Sequence, residues 1–163
     1  MSDPILRPAT ADDVEAVTAV FHRGWHDAHP GLVPEGLTER RTLEAFRERV
    51  AQRIAETDET TVAEVDGAVA GFLMVHDDEA EQVYVDRPYR GTGLANLLLT
   101  EAERQIAEAG YDVAFLAVVR GNARAQAFYS KQGWVDEGDV DYPVTALGEH
   151  YISPCRKFTK RVR

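Results

Sequence analysis

Between Thr60 and Glu108 the chain changes its hydrophobic period once, and that change constrains the fold more than any other feature. TVAEV, AVAGFLMVH and EAEQVYV have strand composition and are separated by Asp66-Gly67 and Asp77-Asp78. Asp-Gly between two such runs is a tight hairpin signal, so the stretch predicts three consecutive antiparallel strands. RPYRGTGLANLLL follows, and its apolar residues recur at helical spacing over 94–109 before Gly110, a C′ glycine. The glycine turn that joins strand to helix reads in two ways. It is an ordinary strand–helix connection, or it is an anion cradle, because glycines let the backbone approach a ligand and the first helical N–H groups lack intrahelical partners. A G-x-G-x-x-G dinucleotide fingerprint is not completed, since its third position is Asn96, and no G-x-x-x-x-G-K-[ST] run is present.

The flanking segments complete the element order. Ile5–Arg7 predicts a short strand, and Thr10 with Asp13 predicts a helix start ahead of Val14, Val17, Val20 and Phe21. Pro30, Gly31, Pro34 and Gly36 predict a loop, and Leu43, Phe46, Val50 and Ile54 a second helix. VAFLAVV reads as a buried strand, Ala123–Lys131 as a short helix, and Trp134–Val140 and Tyr151–Phe158 as two closing strands. The expectation is an α/β fold with a mixed sheet of about seven strands and about four helices on its two faces, in a single domain over 1–163.

Charge and composition narrow the function classes. A net charge of −10 argues against a nucleic-acid groove, which needs Lys and Arg, and weakly favours a cationic ligand. Five of the 18 basic residues sit in RKFTKRVR at the end, which reads as the solvated end of a last strand or an anion contact. No apolar run approaches the roughly 20 residues of a membrane helix, no basic leader precedes an apolar stretch, and the one cysteine is Cys155. A cytoplasmic protein with no membrane partner is expected.

A second motif decides between the readings of the glycine turn. LAVVRGNARAQAFYSKQGW carries Asn122, Ala125, Tyr129, Gly133 and Trp134. Together with Val85, Pro88, Arg90, Gly93 and Ala95, this resembles the GCN5-related N-acetyltransferase (GNAT) superfamily. The family's signatures are (Gln/Arg)-x-x-Gly-x-(Gly/Ala) and Asn-x-x-Ala-x-x-x-Tyr-x-x-x-Gly-(Phe/Trp). ILRPATADDVEAV is similar to the family's opening, and the resemblance spans about 5–158, most specifically 79–134.

The resemblance implies a GNAT-like, largely antiparallel central sheet and an acyl-CoA donor, most simply acetyl-CoA, with no metal. Its pyrophosphate would lie on Arg90, Gly91, Thr92, Gly93, Leu94, Ala95 and Asn96. Its pantetheine arm would pair with Val83, Tyr84 and Val85 and meet Asn122 and Ala125, although Asn122 also reads as a plain N-cap. Tyr129 is the candidate acid for the departing sulfur; its other reading is a core aromatic beside Phe128. Alternation puts Glu79, Glu81, Val83 and Val85 on one face, and either glutamate is a candidate base or an exposed strand-end charge. Candidate acceptor-site residues are Trp25, His26 and Tyr142, with His29, His150 and Tyr151 nearby. His22 and His26 stand one helical turn apart, but Arg23, Gly24 and Trp25 between them do not make a zinc-protease motif.

The implied activity is direct acetyl transfer in a ternary complex to a small-molecule or peptide amine. A non-catalytic acyl-CoA sensor and a plain interaction domain are the rival classes. Family members commonly dimerise through their last strands, so the resemblance also allows a homodimer.

Overall fold

The computed structural model describes residues 2–163. Seven strands form one sheet: β1 (Ile5–Pro8), β2 (Thr60–Val65), β3 (Ala68–His76), β4 (Glu79–Val85), β5 (Val113–Val119), β6 (Val135–Ala146) and β7 (Glu149–Arg161). Five α-helices accompany them: α1 (Val14–Ala28), α2 (Glu35–Arg40), α3 (Leu43–Glu56), α4 (Leu94–Glu108) and α5 (Ala123–Lys131). The spatial order is β1-β2-β3-β4-β5-β7-β6, antiparallel throughout except between β4 and β5.

The local signals act as their chemistry requires. Asp66 and Gly67 both take positive φ, 51° and 82°, and close the β2–β3 hairpin with the twist its strands need. Thr10 and Asp13 form a reciprocal capping box, and Asp13 also receives both terminal nitrogens of Arg7 at 2.8 and 2.9 Å. Gly110, at φ 103°, ends α4. β3 runs between two cores because successive side chains point to opposite faces. Leu73 and Val75 pack with Leu98, Leu99, Ala102 and Ile106 of α4, whereas Phe72 and Met74 pack with Val17 and Phe21 of α1 and Phe46 and Val50 of α3. Phe21, Phe46 and Phe72 are wholly buried, each worth roughly 1.5–3 kcal/mol of transfer free energy.

Three sequence expectations are corrected here. The expected loop holds over 30–34, but Gly36 falls inside α2, a fifth helix of six residues whose N-cap is Pro34. The closing strands are longer than expected: β6 continues through Pro143 to Ala146, and Leu147 and Gly148 turn the chain tightly into β7. Pro143 lacks an N–H, but β6 lies at the sheet edge and can spare that donor.

The third correction concerns the glutamates of β4. Met74 stands opposite Gln82, but Val75 stands opposite Ala80, so Glu81 is an extra residue in a β-bulge. The bulge shifts the alternation by one. Ala80 therefore joins the α4-side core that Val83 and Val85 pack against, while Glu79 and Glu81 turn to the face of α1 and α3. They do not share a face with Val83 and Val85.

Candidate active site

The sheet opens immediately beyond the bulge. β4 and β5 pair at a single position, Glu79 opposite Phe115, and then diverge, while β5 stays paired with β7 from Val113 to Val119. The N–H of Asp86 bonds to the carbonyl of Ala70 on β3. Backbone alternation then directs the N–H and C=O groups of Val83 and Val85 toward the opposite edge, which β5 has left. The Val85 carbonyl on that edge accepts a hydrogen bond from Arg90 Nε at 3.2 Å. A cavity of about 430 Å³ occupies the gap and opens to both faces of the sheet. Asn122, Ala125 and Tyr129 of the α5 region line it on the α4 side; Trp25, Arg41, Arg49, Glu79 and Tyr142 line it on the α1–α3 side.

Beyond β4, residues 90–93 form the turn into α4. Gly91 and Gly93 have φ of 77° and 86°, and a Cβ at either would meet nothing within 4 Å. Their requirement is therefore conformational, and the space over the turn is open to a ligand. Gly93 is the N-cap of α4 and offers no side-chain oxygen, so the amides of Leu94, Ala95 and Asn96 have no side-chain cap. Leu94 points its side chain into the α4-side core. The Thr92 hydroxyl bonds to the Tyr89 carbonyl. Arg90 is tied to Asp27 of α1 at 2.9 Å, and Arg87 binds the same carboxylate. Those two guanidinium groups hold Asp27 down to about 2. The Arg90–Asn96 turn is outside the cavity lining, on the helix end that continues from its β4 wall.

The titratable groups of the cavity are differentiated by their surroundings. Burial pushes the Tyr129 phenol up to about 12, so it keeps its proton at neutral pH. Its ring packs against the α4-side core, 5.9 Å from Phe158 and 5.5 Å from Phe128. Burial also raises Glu79, and Tyr142 Oη donates to its carboxylate at 2.6 Å, an interaction that works in the opposite direction. Glu81 differs: Arg53 and Arg49 each donate to it at 2.9 Å and hold it below the usual carboxylate range despite its burial. Asn122 Oδ1 accepts from the Ala125 N–H at 3.1 Å, so it caps α5 and lines the cavity at once.

At the other end, the ring of Trp25 stacks on His29 at 4.5 Å with 2° between planes. His29 bonds to the Trp25 carbonyl, and burial lowers it to about 4, which leaves it neutral at pH 7. Gly24 is the local device that permits this wall. A Cβ there would come within 2.4 Å of the Tyr84 ring, so only glycine lets α1 lie this close to β4. His26 stands apart from the lining and bonds through Nε2 to the Arg41 carbonyl at 2.6 Å. No group of three or more His, Cys, Asp or Glu side chains gathers in metal-binding geometry among the described residues.

Thus Glu79, Glu81, Val83, Tyr84, Asn122, Ala125, Tyr129, Trp25 and Tyr142 line one cavity, and His26 and the 90–96 turn lie outside it. Sequence reasoning did not single out Arg41, Arg49 or Ser153 as part of this site. An arginine in a charged helix, or one after it, carries no local mark of the cavity it faces.

The chain belongs to the acetyltransferase (GNAT) family, whose family model matches residues 21–134. It is an N-acetyltransferase of that family. An uncharacterized N-acetyltransferase of Archaeoglobus fulgidus is 28% identical over 138 residues, covering 78% of this chain and 90% of that protein. A GCN5-related N-acetyltransferase structure from Rhodopseudomonas palustris has the same fold, with a TM-score of 0.76 at 23% identity over 99% of this chain and 97% of that one. The yncA protein of Salmonella typhimurium, solved with its cofactor acetyl-CoA, superposes with a TM-score of 0.73 at 17% identity, covering 99% of this chain and 95% of that one. No helix among the described residues is long and apolar enough to cross a membrane.

Proposed function

We propose that this protein transfers the acetyl group of acetyl-CoA to a primary amine by direct transfer in a ternary complex. The observation that carries the reading is the opened β4–β5 edge. Backbone groups of Val83, which β5 has left unpaired, line one cavity with a phenol that keeps its proton. The residues present fit the donor in two respects. The positive-φ glycines and uncapped amides of 91–96 suit a pyrophosphate, and the free edge of β4 suits an extended amide-bearing arm.

When bound, acetyl-CoA supplies an acyl group activated as a thioester, with a thiol as its leaving group. The chain then has three tasks. Backbone N–H groups on the free edge of β4 donate to the carbonyl oxygen as negative charge develops there. Tyr129 Oη holds a proton for the departing sulfur. Glu79 takes up the proton that the ammonium form of the acceptor must lose before its nitrogen can attack. Glu79 suits this role better than Glu81, whose charge is already committed to Arg49 and Arg53. The donor side of the cavity faces α5 and the acceptor side faces α1–α3, so both substrates can be present together.

The test follows thiol release from acetyl-CoA across an amine panel, with wild type and Tyr129→Phe. A fall in kcat with intact acetyl-CoA binding supports the mechanism, and unchanged turnover removes Tyr129 from it. Acetyl-CoA binding with no transfer to any amine would instead mark a sensor. An acetylated protein found by mass spectrometry before any amine is added would overturn direct transfer.

A further inference from the structure

One charge in the cavity has no counterpart. Arg41 follows α2, where its backbone N–H bonds to the carbonyls of Leu37 and Thr38 and its own carbonyl is held by His26. The residue is 8% exposed, it lines the cavity, and its Nε has no hydrogen-bond partner. Its guanidinium lies 5.8 Å from the Trp25 ring and 5.9 Å from the Phe46 ring. The other arginines near this wall are committed: Arg49 to Glu81, Arg53 to Glu59 and Glu81, and Arg23 to Asp86. Arg49 lies close enough to Arg41 to repel it. Burial lowers Arg41 to about 10, which still leaves it charged at neutral pH.

A buried guanidinium without a carboxylate is costly, and two aromatic faces compensate only part of that cost. The neighbourhood is arranged to hold it regardless: α2 ends on it, and a histidine fixes its backbone. Such a group is complementary to an anion that arrives with a ligand. A polyamine or an aminoglycoside would bring further positive charge against Arg41 and Arg49. The local field of the acceptor end therefore opposes the inference drawn from the chain's net charge of −10. Across the same cavity, Glu79 with Tyr142 provides the site for an amine.

We propose that Arg41 binds the carboxylate of an acceptor carrying both an amine and a carboxylate, namely an amino acid or a small molecule of that zwitterionic class. The proposal rests on the acetyltransferase reading and deepens it. Arg41 orients the acceptor from its far end, which leaves the amine at Glu79, and a cavity of about 430 Å³ fits a molecule of that size better than a folded protein surface. The forked guanidinium matches a carboxylate through two parallel N–H donors, which an ammonium would not do.

The standard amino acids, each beside its carboxamide, are titrated into protein saturated with coenzyme A. At least one free acid binds about 100-fold more tightly than its amide, equivalent to about 2.8 kcal/mol at 1.4 kcal/mol per tenfold. In Arg41→Met the acid falls to the affinity of the amide, and in Arg41→Lys part of the preference remains. Kinetically, the substitution raises KM for the acid far more than it lowers kcat. Because Arg41→Met removes an unpartnered buried charge, it melts no lower than wild type, which separates lost binding from lost folding. Equal binding of acids and amides by wild type, no binding of any amino acid, or a preference that survives in Arg41→Met overturns the proposal. Failure of the acetyltransferase reading is distinct: thiol release is then absent with every amine while carboxylate-selective binding persists.

Discussion

Burial acts on three side chains of the cavity with different results. Tyr129 meets no opposing charge, so its phenol is pushed up and remains a proton donor. Removing that hydroxyl in Tyr129→Phe should lower kcat by about 10²–10⁴, the usual range for a positioned acid, while the melting temperature moves little. Glu79 is raised by burial and partly restored by Tyr142. A base must be deprotonated to act, so kcat/KM should fall as the pH drops through the raised Glu79 value. The hydrogen bond from Tyr142 favours the carboxylate, so Tyr142→Phe raises Glu79 further and moves the acid limb of the pH profile to higher pH. Glu79→Gln should abolish that limb. Profiles that coincide for wild type and Tyr142→Phe would exclude Glu79 as the group observed. The candidate identities of Tyr129 and Glu79 are visible in the sequence. The difference between Glu79 and Glu81 is not, because it depends on Arg49 and Arg53, which lie about 30 residues away on α3.

At the scale of elements, the bulge in β4 has the largest consequence. A single extra residue turns two carboxylates to the other face and coincides with the divergence of β4 from β5. Period-2 reading of EAEQVYV cannot detect it, because a bulge is a relation between two strands and leaves no composition signal in one. The turn that follows is more legible, since positive φ at Gly91 and Gly93 requires glycine whatever surrounds it. Gly93→Ala should cost about 1 kcal/mol of stability from the left-handed backbone alone. It should also weaken acetyl-CoA binding by more than that strain explains, because the added methyl projects into the open space over the turn. Thermal melts with and without acetyl-CoA separate the two effects, and an unchanged ligand-induced shift would exclude this turn from donor binding.

For the whole molecule, the sheet separates two cores, and the first strand is fastened to the first helix by charge. Arg7 and Asp13 form a two-bond pair, and Asp13 also accepts the Thr10 N–H at 2.7 Å. These bonds depress the folded Asp13 below its ordinary value of 3.8. The stabilisation is therefore present in full above the unfolded value and is lost as the pH falls through the folded one. Asp13→Asn should cost about 1–3 kcal/mol at neutral pH and reduce the loss of stability on acidification. Chemical unfolding at pH 7 and near pH 3 measures both, and equal acid sensitivity in the two proteins would refute the assignment. The basic tail shows a similar use of charge: Arg156 pairs with Asp136 and Asp139, and Lys160 with Glu103. RKFTKRVR is thus largely part of β7, a strand with neighbours on both sides.

RPYRGTGLANLLL and the Asn122–Trp134 motif carry their meaning locally, because glycine conformation, helix capping and hydrophobic period are properties of neighbouring residues. From them the sequence determined the order of elements and the family, leaving out α2, the bulge in β4 and the full length of β6 and β7. The tertiary structure alone decided which glutamate is held by arginines, which face both point to, and that an arginine after α2 lines the cavity with its Nε unpartnered. Those are long-range facts. Bulges, ion pairs and the burial of a charge depend on residues that folding brings together, and no window of the sequence contains both members of such a pair.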